Sequence, residues 1–184
     1  MRELDACGGD ALFRLESLLA VQGFKVQLIA GEEPELCYRL REKGWIIQRL
    51  PEDMTLHDAA ITHIRQWCKR ASRSGHACAE GNALHPQLWR RETRSALVWG
   101  LFLPVAAIAS CHFTGGLGLV LLAGYPILWL RVLYARRAYE DPLSDAILYA
   151  FFCVLSKFPE VAGMMVFFWW NRSLGRRTQL IEYK

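Results

Sequence analysis

The residues with the most chemical potential lie in the run Gly31-Glu32-Glu33-Pro34-Glu35-Leu36-Cys37-Tyr38-Arg39, where three carboxylates gather within four positions. Pro34 suits a first helical turn and Gly44 a helix end, so the acidic groups sit at a loop-to-helix junction. A helix N-terminus favours their ionised form. Two roles are open to them. They can cap the helix, or one can act as a general base that takes a proton from a hydroxyl nucleophile. His57-Asp58 follows as a pair that could ligate a metal, donate to phosphate or simply turn the chain. One His beside one Asp falls short of the ligand set a metal needs. His63, His76 and His85 are less informative still. In Gln66-Trp67-Cys68-Lys69-Arg70-Ala71-Ser72-Arg73-Ser74-Gly75, Arg70 and Arg73 share a helix face by their spacing. Their guanidinium groups can converge on one anion, a phosphate or an anionic lipid.

Several elements could position these groups. Residues 10–22 read as an amphipathic helix stopped by Gly23, and Glu35–Lys43 as a second helix with Leu36 and Leu40 on one face. Residues 45–50 look like a strand ended by Pro51, and residues 61–79 like a helix that is basic on one side. Helix, Gly and strand in succession suggest an α/β fragment.

Composition divides the chain. Most charges fall in residues 1–94, whereas Ser95 to Leu130 is a run of 36 residues without Asp, Glu, Lys or Arg. Such a run is too long for one buried element of a small core and predicts a transmembrane hairpin over 95–130, turning near Thr114-Gly115-Gly116. Met1 opens onto Arg2, Glu3 and Asp5, which predicts no cleavable leader. Trp99, Tyr125 and Trp129 are placed to anchor at the interfaces. Arginines flank both open ends and none lies at the tip, which predicts cytoplasmic ends.

Residues 143–170 are apolar again but hold Lys157, Pro159 and Glu160 at their middle. Two short interfacial helices are expected there in preference to a kinked third span, followed by a basic tail, Arg172–Arg177. The net charge of +4 does not indicate nucleic-acid binding, because three of the four basic clusters flank apolar segments. Six cysteines without paired spacing predict neither a disulfide framework nor a zinc site.

The order GGDALFR (8–14), GF (23–24), GEEPELCYRLREKGW (31–45), MTLHDAA (54–60) and QWCKRASRSG (66–75) resembles the later part of the membrane-associated bacterial family 2 glycosyltransferases. The likeness extends through the apolar tail. The resemblance implies an α/β fragment of a GT-A nucleotide-sugar transferase domain over 1–94, a two-helix transmembrane hairpin over 95–130, and cytoplasmic or interfacial amphipathic helices with a basic tail over 131–184. It places the chain in a bacterial inner membrane as a multi-pass protein.

It also implies site residues. Glu32-Glu33 falls on the family's Glu-Asp pair, making Glu33 the base. Gly8, Gly9 and Asp10 fall on the acceptor-side floor, and His57 near a metal or diphosphate contact. Gln66, Trp67, Arg70 and Arg73 fall on the Gln-x-x-Arg-Trp region. A nucleotide-sugar, a membrane-associated acceptor and a divalent metal (Mg or Mn) would be the ligands. No Asp-x-Asp motif to hold that metal occurs in the chain, so a transferase missing its donor half is expected to be inactive alone. The alternative expectation is a non-catalytic membrane anchor or assembly subunit that binds a partner chain, such as a separately encoded N-terminal half.

Overall fold

A computed structural model describes residues 2–8, 10–26, 28–50, 60–139 and 141–169. Eight α-helices account for most of them: α1 (Leu15–Ala20), α2 (Glu32–Glu42), α3 (Ile64–Leu84), α4 (Arg90–Leu97), α5 (Leu103–Thr114), α6 (Gly124–Arg137), α7 (Leu143–Leu155) and α8 (Lys157–Phe167). Extended structure among the described residues amounts to β1 (Arg2–Glu3) paired antiparallel with β2 (Gln48–Arg49).

The expected α/β fragment of a GT-A domain is therefore corrected. That fold needs several parallel strands with helices on both faces. Here Leu18 of α1 and Val21 just after it pack against α2 instead. Val21, Leu36 and Leu40 bury a small core, with Phe13, Leu18 and Trp45 packed around it. Among the described residues, the two-stranded pair is too short to offer these helices a sheet face to cover. The segment read as a strand contributes only a two-residue pairing, extended by one bond from the Leu4 N–H to the Ile47 carbonyl at 2.9 Å.

Local chemistry accounts for the element ends. α1 is shorter than the expected helix and stops where Gln22 and Gly23 adopt positive φ. α2 begins three residues before the expected start, because Gly31 takes the left-handed conformation (φ 82°) and turns the chain into the helix. α3 outruns its expected end and continues through Gly75 and Gly81. Tertiary contact outweighs the low helix propensity of those glycines. A Cβ at Gly75 would overlap the Glu160 backbone, and one at Gly163 would overlap the Ser72 carbonyl. α3 and α8 thus approach with no side chain between their backbones. They run in the same direction: Trp67 packs edge-on against Phe152 (5.0 Å between ring centroids) and His76 against Phe167 (5.3 Å). Ala79, Ala96, Val161, Met164 and Phe167 close this core and join α3, α4 and α8.

Three helices, Arg90–Thr114, Leu117–Arg137 and Leu143–Phe167, are long and apolar enough to cross a membrane. The first is continuous despite Pro104. A π-helical turn, Val98–Phe102, sits before the proline and redistributes the backbone bonds that its ring disrupts. Gly115 and Gly116, both at positive φ, reverse the chain, and a 3₁₀ segment (Leu117–Ala123) leads into α6. Three hydroxyls in the hairpin bond to its own backbone: Ser110 Oγ donates to the Ala106 carbonyl (2.7 Å), Thr114 Oγ1 to the Ser110 carbonyl (2.7 Å) and Tyr125 to the Trp99 carbonyl (2.6 Å).

Between α7 and α8 the helix path is interrupted only at Ser156. Pro159 falls in the first turn of α8, where no intrahelical N–H is required. Lys157 Nζ reaches Glu160 Oε2 at 2.8 Å and Ser156 Oγ donates to Glu160 Oε1 at 2.6 Å, so the charged pair neutralises itself within one turn.

Candidate functional site

Glu35 is the centre of the polar chemistry outside the apolar helices. Its side chain is fully buried, yet two cations and a histidine ring converge on it. Arg39, one turn along α2, donates through Nε at 2.9 Å to each carboxylate oxygen and through Nη2 at 2.7 Å. Lys25 Nζ lies 3.0 Å from Oε1, and His85 Nε2, just past the end of α3, lies 2.7 Å from it. Burial by itself would raise the Glu35 pKa; the bonds from Arg39, His85 and Lys25 outweigh it and hold the carboxyl at about 2. Arg39 also donates to the Val21 carbonyl and, at 2.7 Å, to the Gly23 carbonyl. One carboxylate thus ties α2 to the loop after α1 and to the end of α3.

Trp89 makes the second junction. It adopts a left-handed backbone conformation (φ 52°) directly before α4. Its indole fills the space that a Cβ at either Gly31 or Gly81 would occupy, wedging the start of α2 against α3. Beside it opens a cavity of about 1130 Å³, lined mainly by one side of α3.

The sequence-derived site residues are dispersed by this arrangement. Gln66, Arg70 and Arg73 line the cavity beside Trp89. Gln66 Oε1 also accepts from the Thr62 and His63 N–H groups at 3.0 and 3.1 Å, which makes it the capping residue of α3. Arg73 donates to the Ile29 carbonyl (Nε at 2.9 Å). Trp67 faces away from the cavity and packs on Phe152. Gly8 and Asp10 line a different groove, with Trp45 and Ile46. Glu32 and Glu33 are half-buried in the first turn of α2 and belong to the lining of neither space. Gly9 and His57, like the basic tail, lie outside the described residues. Among the described residues, no group of three or more His, Cys, Asp or Glu is arranged to hold a metal ion.

Sequence reasoning missed Lys25, His85 and Trp89. The Glu35/Arg39 pair was not drawn either, although its i, i+4 spacing would have shown it. Lys25 and His85 lie 10 and 50 positions from Glu35, with no local pattern to join them. A second missed group is His76 on α3. Its ring has only a weak polar contact with the Gly163 backbone, and Glu80 Oε2 is 3.9 Å from Nε2. Burial pushes His76 down to about 4 and raises the Glu80 pKa, so both favour their neutral forms.

The chain matches no family model, no curated protein and no solved structure. What the fold defines is a helical, multi-pass membrane protein, with a bilayer as its partner. The expected membership of the family 2 glycosyltransferases, and with it the assignment as a GT-A nucleotide-sugar transferase, is overturned. The described residues lack the parallel sheet on which such a donor site is built.

Proposed function

We propose that this chain is a non-catalytic membrane anchor whose portion outside the apolar helices docks a partner chain. The observation that carries this reading is an uncovered apolar surface in the N-terminal part. Leu12, Leu15, Leu19 and Val26 are 87%, 71%, 68% and 95% exposed, although none belongs to a membrane-length helix. Leu15 and Leu19 are one turn apart on α1, and Ile46 and Leu50 add further uncovered side chains beside β2. Apolar surface of this kind, outside a bilayer, marks a protein contact. Among the described residues no third strand pairs with the edges of the short β1/β2 pair, where a partner's strand could add. Support for a non-catalytic role comes from Glu35. A carboxylate held by Arg39, Lys25 and His85 at a pKa of about 2 is a weak base at neutral pH, and its bonds join structural elements.

In this reading the hairpin ends face the cytoplasm, because Arg90, Arg91 and Arg94 precede it, Arg136 and Arg137 follow it, and the Gly115-Gly116 tip is uncharged. α8, packed along the basic helix α3, lies at the same cytoplasmic surface.

The test is photo-crosslinking in the cell that makes the protein, with a benzophenone side chain at position 15 or 19 and, as control, at exposed Lys43. One discrete adduct to a different polypeptide at 15 and 19, absent at 43, is the expected result. Adducts to a second copy alone, or identical patterns at all three positions, would sink the proposal.

A further inference from the structure

The cavity beside Trp89 has a positively charged wall. Arg65, Lys69, Arg70 and Arg73 line it, and Glu92 is the one acidic residue of its lining among the described residues. Arg73 is engaged with the Ile29 carbonyl. Arg65, Lys69 and Arg70 make no ion pair or hydrogen bond with any described residue. The spacing 65, 69, 73 follows one helix row, with Lys69 and Arg70 adjacent at its centre, so these cations project toward one volume.

Position narrows the ligand. Trp89 directly precedes the helix Arg90–Thr114, one of the three long and apolar enough to cross a membrane, so the cavity sits where that helix leaves the aqueous phase. Arg90, Arg91 and Arg94 continue the positive charge into its first two turns. An indole at such a boundary suits the interfacial layer, with an apolar body and a polar edge. The volume, about 1130 Å³, suits a lipid headgroup with its glycerol. A ligand for this wall must carry compact negative charge that an arginine fork can grip through two oxygens, and must be present at the bilayer surface.

We propose that this cavity binds the headgroup of an anionic phospholipid, its phosphate held between Lys69 and Arg70 and its glycerol against Trp89. The site goes beyond partner docking. It would seat the whole α3–α8 unit on the negatively charged leaflet, and it shares no residue with the exposed surface of α1.

Native mass spectrometry of the whole chain in detergent tests this, with titration of phosphatidylglycerol, phosphatidylcholine or inorganic phosphate. Phosphatidylglycerol should bind at least about tenfold more tightly than phosphatidylcholine, and each cation removed should cost about fivefold. The double variant Lys69→Gln/Arg70→Gln should therefore lose about thirty-fold, Arg65→Gln about fivefold, and Lys43→Gln nothing. Equal binding of the two lipids, or an unchanged affinity in the double variant, would overturn the proposal. So would an equal loss with Lys43→Gln, which would mean diffuse attraction by net charge. Displacement of the lipid by millimolar inorganic phosphate would reassign the cavity to a free anion. Arg65→Gln, at an exposed position, gives an independent reading if the double variant does not fold.

Discussion

Replacing Glu35 by Gln removes the single negative charge on which Lys25, Arg39 and His85 converge, while keeping nearly the same shape. Glu35 is fully buried and its pKa falls from 4.5 to about 2, a drop equivalent to about 3 kcal/mol of folded-state stabilisation. Removal of one member of a buried charge cluster carries a similar cost, about 3–5 kcal/mol, since the remaining cations lose their counter-charge. The sign follows from the lowered pKa. The contribution is complete above pH 4.5, where an unfolded Glu is ionised, and is lost as pH falls towards 2. Hydrogen exchange on the whole chain, at one fixed pH near neutrality, resolves the effect by position. Glu35→Gln should speed exchange of the α2 amides about a hundred-fold and leave α5 and α6 unchanged, because the lost bonds join α2 only to the loop after α1 and to the end of α3. Wild-type α2 protection should also decline between pH 4.5 and 2 after correction for intrinsic exchange, and the variant should lack that decline. Exchange within twofold of wild type, or the same acid decline in the variant, would refute the reasoning.

His76 supplies a second acid response. Its folded pKa of about 4 lies below the ordinary 6.5, so the unfolded chain binds the extra proton and stability falls as pH drops from 6.5 to 4. His76→Phe should abolish that slope in thermal melts followed by circular dichroism. Gly163→Ala places a methyl on the Ser72 carbonyl, which is backbone and cannot move aside. The expected loss is at least about 1–3 kcal/mol, read as a lower melting temperature and faster exchange in α3. The cysteine spacing predicted no disulfide framework, and the free thiols of Cys7 and Cys37 lie with their sulfurs 3.3 Å apart. Burial and the Cys37 contact push the Cys7 thiol up to about 12, so the pair stays reduced until an oxidant such as diamide is added. A disulfide then closes a loop of roughly thirty residues and should stabilise α2 by about 3–4 kcal/mol, with Cys37→Ser as the null control in a non-reducing mass measurement.

The membrane character of this protein was written in its sequence. A run without formal charge from Ser95 to Leu130, bounded by arginines and broken by Gly115-Gly116, needs no tertiary information, because the bilayer acts as a solvent on each residue in turn. Most of α3, expected as a helix over residues 61–79, and the acidic start of α2 were legible for the same reason: capping, periodicity and propensity are local. The sheet was not. Residues 45–50 have strand composition, but a strand exists only through its partners, and the short N-terminal segment offers them a pairing of two residues. Motif order in this region suggested an enzyme, whereas packing turned the same residues to other work. Glu35 became the hub of a buried ion cluster, Gln66 a helix cap, and Arg73 a clasp on the Ile29 carbonyl. Tertiary structure alone decided the Gly75/Gly163 crossing, the meeting of Glu35 with His85 and the wedge made by Trp89. Each joins residues tens of positions apart, through contacts whose strength depends on burial and distance that no single stretch of sequence encodes.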